Sequence, residues 1–337
     1  MVLPPIAATT VGSFPRPAWL ASNERMEVTF RLSAAELLEA QDDATRLVIE
    51  EQEQVGLDLV TDGEQRRTSF INHLLAGLDG VDLEQRRTKE IRRRAGNERL
   101  VPRIVGKIRR RQPASVDEVR FARAHTDRPV KMAVPGPLTI IDTTFDEAYG
   151  DEAALAMDLA VALNEELLDL QAAGAAALQI DEPAMTRYHD KTAAFAAQAL
   201  DRCLEGITVP TFVHLCYGYP GAMGPSQHFY EYPELLALLM ETRISGFSLE
   251  FARSGYDPAI LKGCGDRLVM YGCIDPGDAP AEPLDLVVSR IRAALEYVAP
   301  EQLLVAPDCG LMMAGRPLAR EKSALLVAAA NEVRRAL

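Results

Sequence analysis

The feature that most constrains this chain is a set of eight short apolar runs, each closed by polar or turn residues and separated by longer stretches of helical period. The runs are Ile6 to Val11, Leu57 to Thr61, Val130 to Val134, Ala176 to Ile180, Thr211 to Cys216, Gly246 to Phe251, Leu268 to Ile274 and Leu303 to Ala306. Between them the pattern predicts helices over Ala34 to Val55, Glu152 to Ala173, Lys191 to Glu205, Pro233 to Glu241, Pro283 to Tyr297 and Leu318 to Leu337. The first opens on Ser33 with Glu36 three residues on, the pattern of a capping box. Strands that alternate with helices pair in parallel, and eight is a number that closes a small barrel. A doubly wound sheet would stop near about five or six strands and carry a glycine-rich fingerprint after the first, which is absent here. The expected fold is therefore an α/β, (β/α)8 TIM barrel, with 1–337 acting as a single domain.

One connection is out of proportion. The stretch 78–128, between the second and third runs, is strongly basic, with Arg86, Arg87, Lys89, Arg92, Arg93, Arg94 and further arginines as far as Arg111. Strand character over Val101 to Ile108 predicts a solvated hairpin insertion; the alternative is a docking surface for an anionic partner or cofactor tail. The chain as a whole carries a net charge of −13, which argues against nucleic acid as a general partner. No apolar run approaches the ~20 residues of a membrane span, and the opening residues lack a basic, then apolar, leader pattern. Five cysteines at irregular spacing fit reduced thiols in a cytoplasm better than a disulfide framework.

Chemistry-bearing residues gather at the C-terminal ends of the runs: Ser13, Glu64, Asp181, His214 with Cys216, Glu250, Asp275 and Cys309. In a (β/α)8 barrel that rim is the active-site face. His214 and Cys216 lie two apart on a strand, so both side chains face the same way and can grip one ion. Cys309 from the last run and Glu250 from the strand beside His214 would complete a mixed nitrogen, sulfur and oxygen set that suits zinc. The alternative is a buried, inert Cys216. Cys203 falls in a helix, Cys264 in a glycine-rich turn and Cys273 within the seventh run, so their claims are weaker.

The motifs TTVGSFPRP at Thr9, DGEQRR at Asp62, PGPLT at Pro135, QIDEPA at Gln179, HLCYG at His214, LE at Leu249 and PDCGL at Pro307 stand in one order along the chain. Together they resemble the cobalamin-independent methionine synthase family, in particular its C-terminal catalytic barrel in a short, single-barrel form. The resemblance implies zinc held by His214, Cys216, Glu250 and Cys309. It also implies that Gly12, Ser13, Glu64 and Asp181 bind the amino-acid part of homocysteine, whose thiol is methylated to methionine. Asp275 and Glu182 are candidates to support this set from behind.

Two departures concern the methyl donor. Long family members carry a tryptophan in the stretch that reads Thr143-Thr144-Phe145 here, and a histidine just after the seventh strand's aspartate, where Asp275 is followed by Pro276-Gly277. Methyltetrahydrofolate needs its leaving nitrogen protonated, so methylcobalamin or a methylated corrinoid protein is the expected donor. Tyr217, Tyr219 and His228 are the residues that could replace the missing pair. The alternatives are alkyl transfer to another thiol such as coenzyme M, with Arg66, Arg67 and Arg253 available for its sulfonate, a decarboxylase on the same fold, or a non-catalytic protein that handles corrinoid or zinc.

Overall fold

The computed structural model describes residues 2–21, 28–92, 97–217 and 232–337. Its strands among these residues are β1 (Ala7–Ala8), β2 (Leu78–Glu90), β3 (Glu98–Arg110), β4 (Lys131–Pro135), β5 (Phe145–Asp146), β6 (Ala177–Asp181), β7 (Thr211–Leu215), β8 (Gly246–Glu250), β9 (Leu268–Ile274) and β10 (Leu303–Pro307). Seven of them form one curled parallel sheet in the order β1-β10-β9-β8-β7-β6-β4.

The second apolar run, 57–61, joins the two edges of this sheet through single parallel bridges, Thr9 to Leu59 and Val60 to Val130. The Asp58 N–H donates to Ala8 O at 2.8 Å, and the Lys131 N–H to Val60 O at 2.8 Å. It falls short of a regular strand because side chains take ladder positions. The Asp58 carboxylate accepts the Ala8 N–H, and the Gln52 side chain bonds both the N–H and the carbonyl of Thr61. The architecture is that of a TIM barrel.

Alternation along the strands separates core from site. Ala7, Leu59, Ala177, Phe212, Met270 and Leu304 form one buried apolar cluster at the lower ends of their strands. Two residues beyond Phe212 on the same face comes His214, and four beyond Ala177 comes Asp181. The opposite strand faces pack against the helices in the larger core cluster.

The helix Ala34–Val55 forms over the expected residues and ends at Gly56, whose φ of 92° suits glycine. The capping box does not form. The Ser33 hydroxyl donates to the Glu36 carboxylate at 2.6 Å instead of serving the backbone.

β2 and β3 pair antiparallel as a long hairpin, and β3 pairs in parallel with β5. The rest of the 78–128 stretch includes the helix Val116–Ala124, which packs on the helices Ala34–Val55 and Glu152–Ala172. Carboxylates of the barrel, and one of β2 itself, take up several of the hairpin's cations. Arg103 pairs with Asp82 and Glu147, Arg110 with Glu166 and Asp169, and Lys107 with Asp158. No helix among the described residues is long and apolar enough to cross a membrane.

Candidate metal centre and substrate cavity

His214 ends the inward face of β7, Cys216 follows it, and Cys309 follows β10. One nitrogen of His214 and the two sulfurs lie within 4.8 Å of one another, and the sulfurs are 3.8 Å apart. Two sulfurs bound to one tetrahedral zinc at ~2.3 Å stand roughly 3.8 Å apart, so the donor set fits that ion. Nδ1 of His214 meets the Ser248 hydroxyl at 2.8 Å, leaving Nε2 as the nitrogen for a metal. Nε2 is buried without a hydrogen-bond partner among the described residues, and so is Oε1 of Glu250. Orphaned buried polar atoms are rare in native structures; beside two cysteine sulfurs they fit a site for a cation.

Glu250 lies outside the 4.8 Å cluster, with its Oε2 accepting the Tyr217 N–H at 3.1 Å. Burial first, and then Cys216, push its carboxyl up to about 7. The Cys216 thiol is held well below the usual thiol range by the hydrogen bond from Cys309 and, against the cost of burial, by His214. Burial pulls His214 down, but the neighbouring Cys216 outweighs it and the imidazole sits above its ordinary value. The three groups together favour thiolate.

His214, Cys216 and Cys309 line a cavity of about 780 Å³, whose wall also carries Ser13, Glu64 and Asp181. Gly12 abuts Glu64: a Cβ there would stand 3.0 Å from Oε1, so a side chain at this position would press on the carboxylate. Glu64 itself adopts a φ of 56°, and Arg16 fixes its loop by donating to the carbonyls of Glu64 and Arg67 at 2.7 and 2.6 Å. Burial pushes the Glu64 carboxyl up to about 7, against the pull of Arg67. Asp181 is raised as well, again chiefly by burial. Gln179 donates to it at 2.6 Å; the buried Lys131 ammonium donates in turn to Gln179 and, at 2.6 Å, to Val11 O.

The two supporting candidates are elsewhere. Glu182 is fully buried and accepts the N–H groups of Leu138 and Thr139 and the Thr139 hydroxyl, tying down the helix Pro137–Asp142. Asp275 accepts the Gly277 N–H and faces Arg253 at 3.8 Å; it does not line the cavity.

The sequence reading missed Ser248, Lys131, Gln179 and Asp308. The last accepts the N–H groups of Phe251, Ala252 and Arg253 and so fixes the chain just beyond Glu250. Ser248 had a legible signal, since it shares a strand face with Glu250 at a spacing of two.

Residues 6–332 match the family described as cobalamin-independent synthase, catalytic domain. The chain belongs to the cobalamin-independent methionine synthase family. It is 32% identical to a methionine synthase from Sulfurisphaera tokodaii, over 99% of this chain and 94% of the relative. A methionine synthase from Pyrococcus abyssi is 30% identical over 100% and 95%. Among solved structures, a B12-independent methionine synthase from Shewanella sp. W3-18-1, in complex with selenomethionine, superposes with a TM-score of 0.93 at 33% identity, covering 98% of each chain.

Against the long cobalamin-independent methionine synthases, Thr143 stands on the cavity wall in the stretch where they carry a tryptophan. Tyr217 does not replace it: its hydroxyl meets that of Tyr256 at 2.9 Å and its ring packs near Tyr232 and Tyr256, away from the cavity lining. Tyr219 and His228 lie outside the described residues. Phe70 supplies an aromatic side chain to the cavity, which the sequence reading did not anticipate. None of Arg66, Arg67 and Arg253 lines the cavity. Arg66 pairs with Asp42, Arg67 lies between Glu64 and Glu118 at 3.7 and 3.5 Å, and Arg253 faces Asp275.

Proposed function

We propose that this protein is a zinc-dependent methyltransferase that converts homocysteine to methionine, with residues 1–337 working as one catalytic unit. The observation that carries the reading is the His214, Cys216 and Cys309 cluster at a cavity whose wall also holds Glu64 and Asp181. His214, Cys216 and Cys309 would hold the zinc, with Glu250, through its orphaned Oε1, as fourth ligand. Zinc bound there would lower the pKa of a thiol so that thiolate is present at neutral pH.

The chain's own residues set the geometry. Glu64 and Asp181, once ionised, grip the substrate ammonium through charge-assisted bonds, and the Gly12-Ser13 backbone receives its carboxylate. Lys131 and Gln179 hold Asp181 in place. The thiol end of the amino acid would then reach the His214, Cys216 and Cys309 cluster and lose its proton to the medium. Its sulfur would form the new bond to the methyl carbon as the bond from that carbon to the donor breaks, the donor leaving with the bonding pair. The selenomethionine complex of the Shewanella protein supports an amino acid of this length. The charges at Glu64 and Asp181, and the engagement of Arg66, Arg67 and Arg253 elsewhere, count against a sulfonate thiol such as coenzyme M. Cys216 and Cys309, 3.8 Å apart as thiols, suit a reducing compartment such as the cytoplasm.

For the donor, Thr143 and Pro276-Gly277 favour a methyl carrier that leaves without protonation, methylcobalamin or a corrinoid protein. A second reading, methyltetrahydrofolate, is favoured by the descriptions of the family and of the Shewanella structure as cobalamin- or B12-independent, and by Phe70 on the cavity wall. The test supplies zinc-loaded protein and homocysteine with methylcobalamin, or with methyltetrahydrofolate in mono- and polyglutamylated forms. Methionine is the expected product, from the corrinoid on the first reading. Efficient turnover of folate without any corrinoid selects the second. Equal turnover of mercaptoethanesulfonate in place of homocysteine would overturn the thiol assignment.

A further inference from the structure

We propose that Lys131 is a positioning residue that joins the two ends of the amino-acid site, so that the cavity selects a molecule carrying an α-ammonium and an α-carboxylate together. The inference rests on the reading of Glu64, Asp181 and the Gly12-Ser13 backbone as that site, and adds the group that couples them.

Lys131 opens β4 with its side chain inside the barrel. It pairs in register with Ala177, a member of the inner apolar cluster, and it is fully buried. Ala133, two along on the same face, lies against Gly12: a Cβ on that glycine would stand 3.6 Å from the Cβ of Ala133. The Lys131 ammonium donates in two directions. One bond goes to Val11 O at 2.6 Å, in the residue before Gly12-Ser13, and the other to Oε1 of Gln179. Gln179, also fully buried, carries the second bond onward, its Nε2 donating to Oδ1 of Asp181 at 2.6 Å. Ala177, Gln179 and Asp181 follow at a spacing of two along β6, so the relay climbs the inward face toward the cavity. Val11, Ser13, Glu64 and Asp181 all line that cavity.

An ammonium in this place needs a cause. A barrel interior is ordinarily filled by apolar side chains, which carry no cost of stripping water from a charge. Burial pulls Lys131 down to about 7, while Asp181 and then Glu64 pull the other way. What the lysine supplies is direction. An ammonium only donates, so it takes the oxygen of the Gln179 amide and leaves the amide NH2 to face Asp181. Without it the amide can turn over and set its oxygen against the carboxylate. The same ammonium pins Val11 O, and with it the backbone that receives the substrate carboxylate. One buried group therefore orients the partners of both substrate charges.

The experiment is calorimetric titration of the zinc-loaded, full-length protein with three compounds. These are methionine, 4-(methylthio)butanoate, which lacks the ammonium, and 3-(methylthio)propylamine, which lacks the carboxylate. Wild type should bind methionine about tenfold or more tighter than either analogue. Lys131→Met should lose most of both preferences while its thermal unfolding stays close to that of wild type, because an apolar side chain of similar volume often replaces a buried charge at little cost. Gln179→Leu keeps the lysine and its bond to Val11 but breaks the relay. It should lose the preference over the butanoate alone, and it carries the test if Lys131→Met does not fold. Lys322→Met is the control: that lysine is also fully buried, but it donates to Asp275 O and Gly277 O, outside the cavity lining, and its loss should leave both preferences intact. In turnover, Lys131→Met should raise KM for homocysteine about tenfold or more while kcat holds. The proposal is overturned if Lys131→Met or Gln179→Leu keeps the wild-type preferences, if Lys322→Met loses them equally, or if kcat falls at unchanged KM. A wild type that binds both analogues as tightly as methionine refutes the amino-acid reading, and the inference falls with it. A wild type that discriminates, beside a Lys131→Met that discriminates equally, refutes the inference alone.

Discussion

His214 is aimed by one hydroxyl. Ser248 occupies Nδ1, and without it the imidazole can turn away from the two sulfurs. Ser248→Ala should lower zinc affinity about ten- to a hundredfold, measured by competition with a chelator, because partners of ligating histidines contribute on that scale. On the amino-acid side, Asp181→Asn should raise KM for homocysteine by about ten- to a hundredfold while zinc content holds, since a charge-assisted bond contributes roughly 1.5–3 kcal/mol. A fall in kcat alone, with KM unchanged, would place Asp181 in another role. Glu64 adds a pH dependence. Its carboxyl, raised to about 7, is protonated below that value and grips an ammonium only above it. KM for homocysteine should therefore fall as pH rises through about 7, by up to tenfold per unit. Glu64→Gln should show a high KM without that limb; a limb that survives the substitution assigns it to another group.

At the scale of elements, the candidate metal centre depends on how β8 and β10 are fastened together. The Asp308 carboxylate, next to Cys309, accepts three main-chain N–H groups just beyond Glu250, at 3.0, 2.9 and 2.7 Å. Asp308→Ala strands three buried or half-buried donors and should cost about 3 kcal/mol or more, read as a lower urea midpoint. A stability loss under about 1 kcal/mol would mean that water or a shifted chain replaces the carboxylate. Most elements could be read in the sequence, because apolar runs of four to seven residues in a parallel barrel need little else. The run 57–61 was legible as a run but not as a bridged segment, since the side chains of Gln52 and Asp58 that displace its ladder are polar residues with no local signal. The hairpin was legible by its charge, but not its contribution to the cavity, which depends on how β2 and β3 lean on the barrel through Glu147, Asp158 and Glu166.

Over the whole molecule, closure of the sheet brings residues 216 and 309 together. Alternation along one strand paired His214 with Cys216, and the eight-run count placed Cys309 on the same rim; the barrel then sets the sulfurs 3.8 Å apart. Lys131 and Gln179 were not legible as site residues, and Ser248 was legible only as sharing a strand face with Glu250, because their contacts depend on the register between strands far apart in sequence. His214, for example, meets Ser248 only through the pairing of β7 with β8. The most direct test of the account is to measure zinc content and methionine formation on the same preparations of wild type, Cys309→Ser and His214→Ala. Wild type should hold about one zinc per chain, and both variants should lose most of the metal and the activity together while their thermal unfolding stays close to that of wild type. Unchanged zinc and unchanged methionine formation in both variants would contradict it.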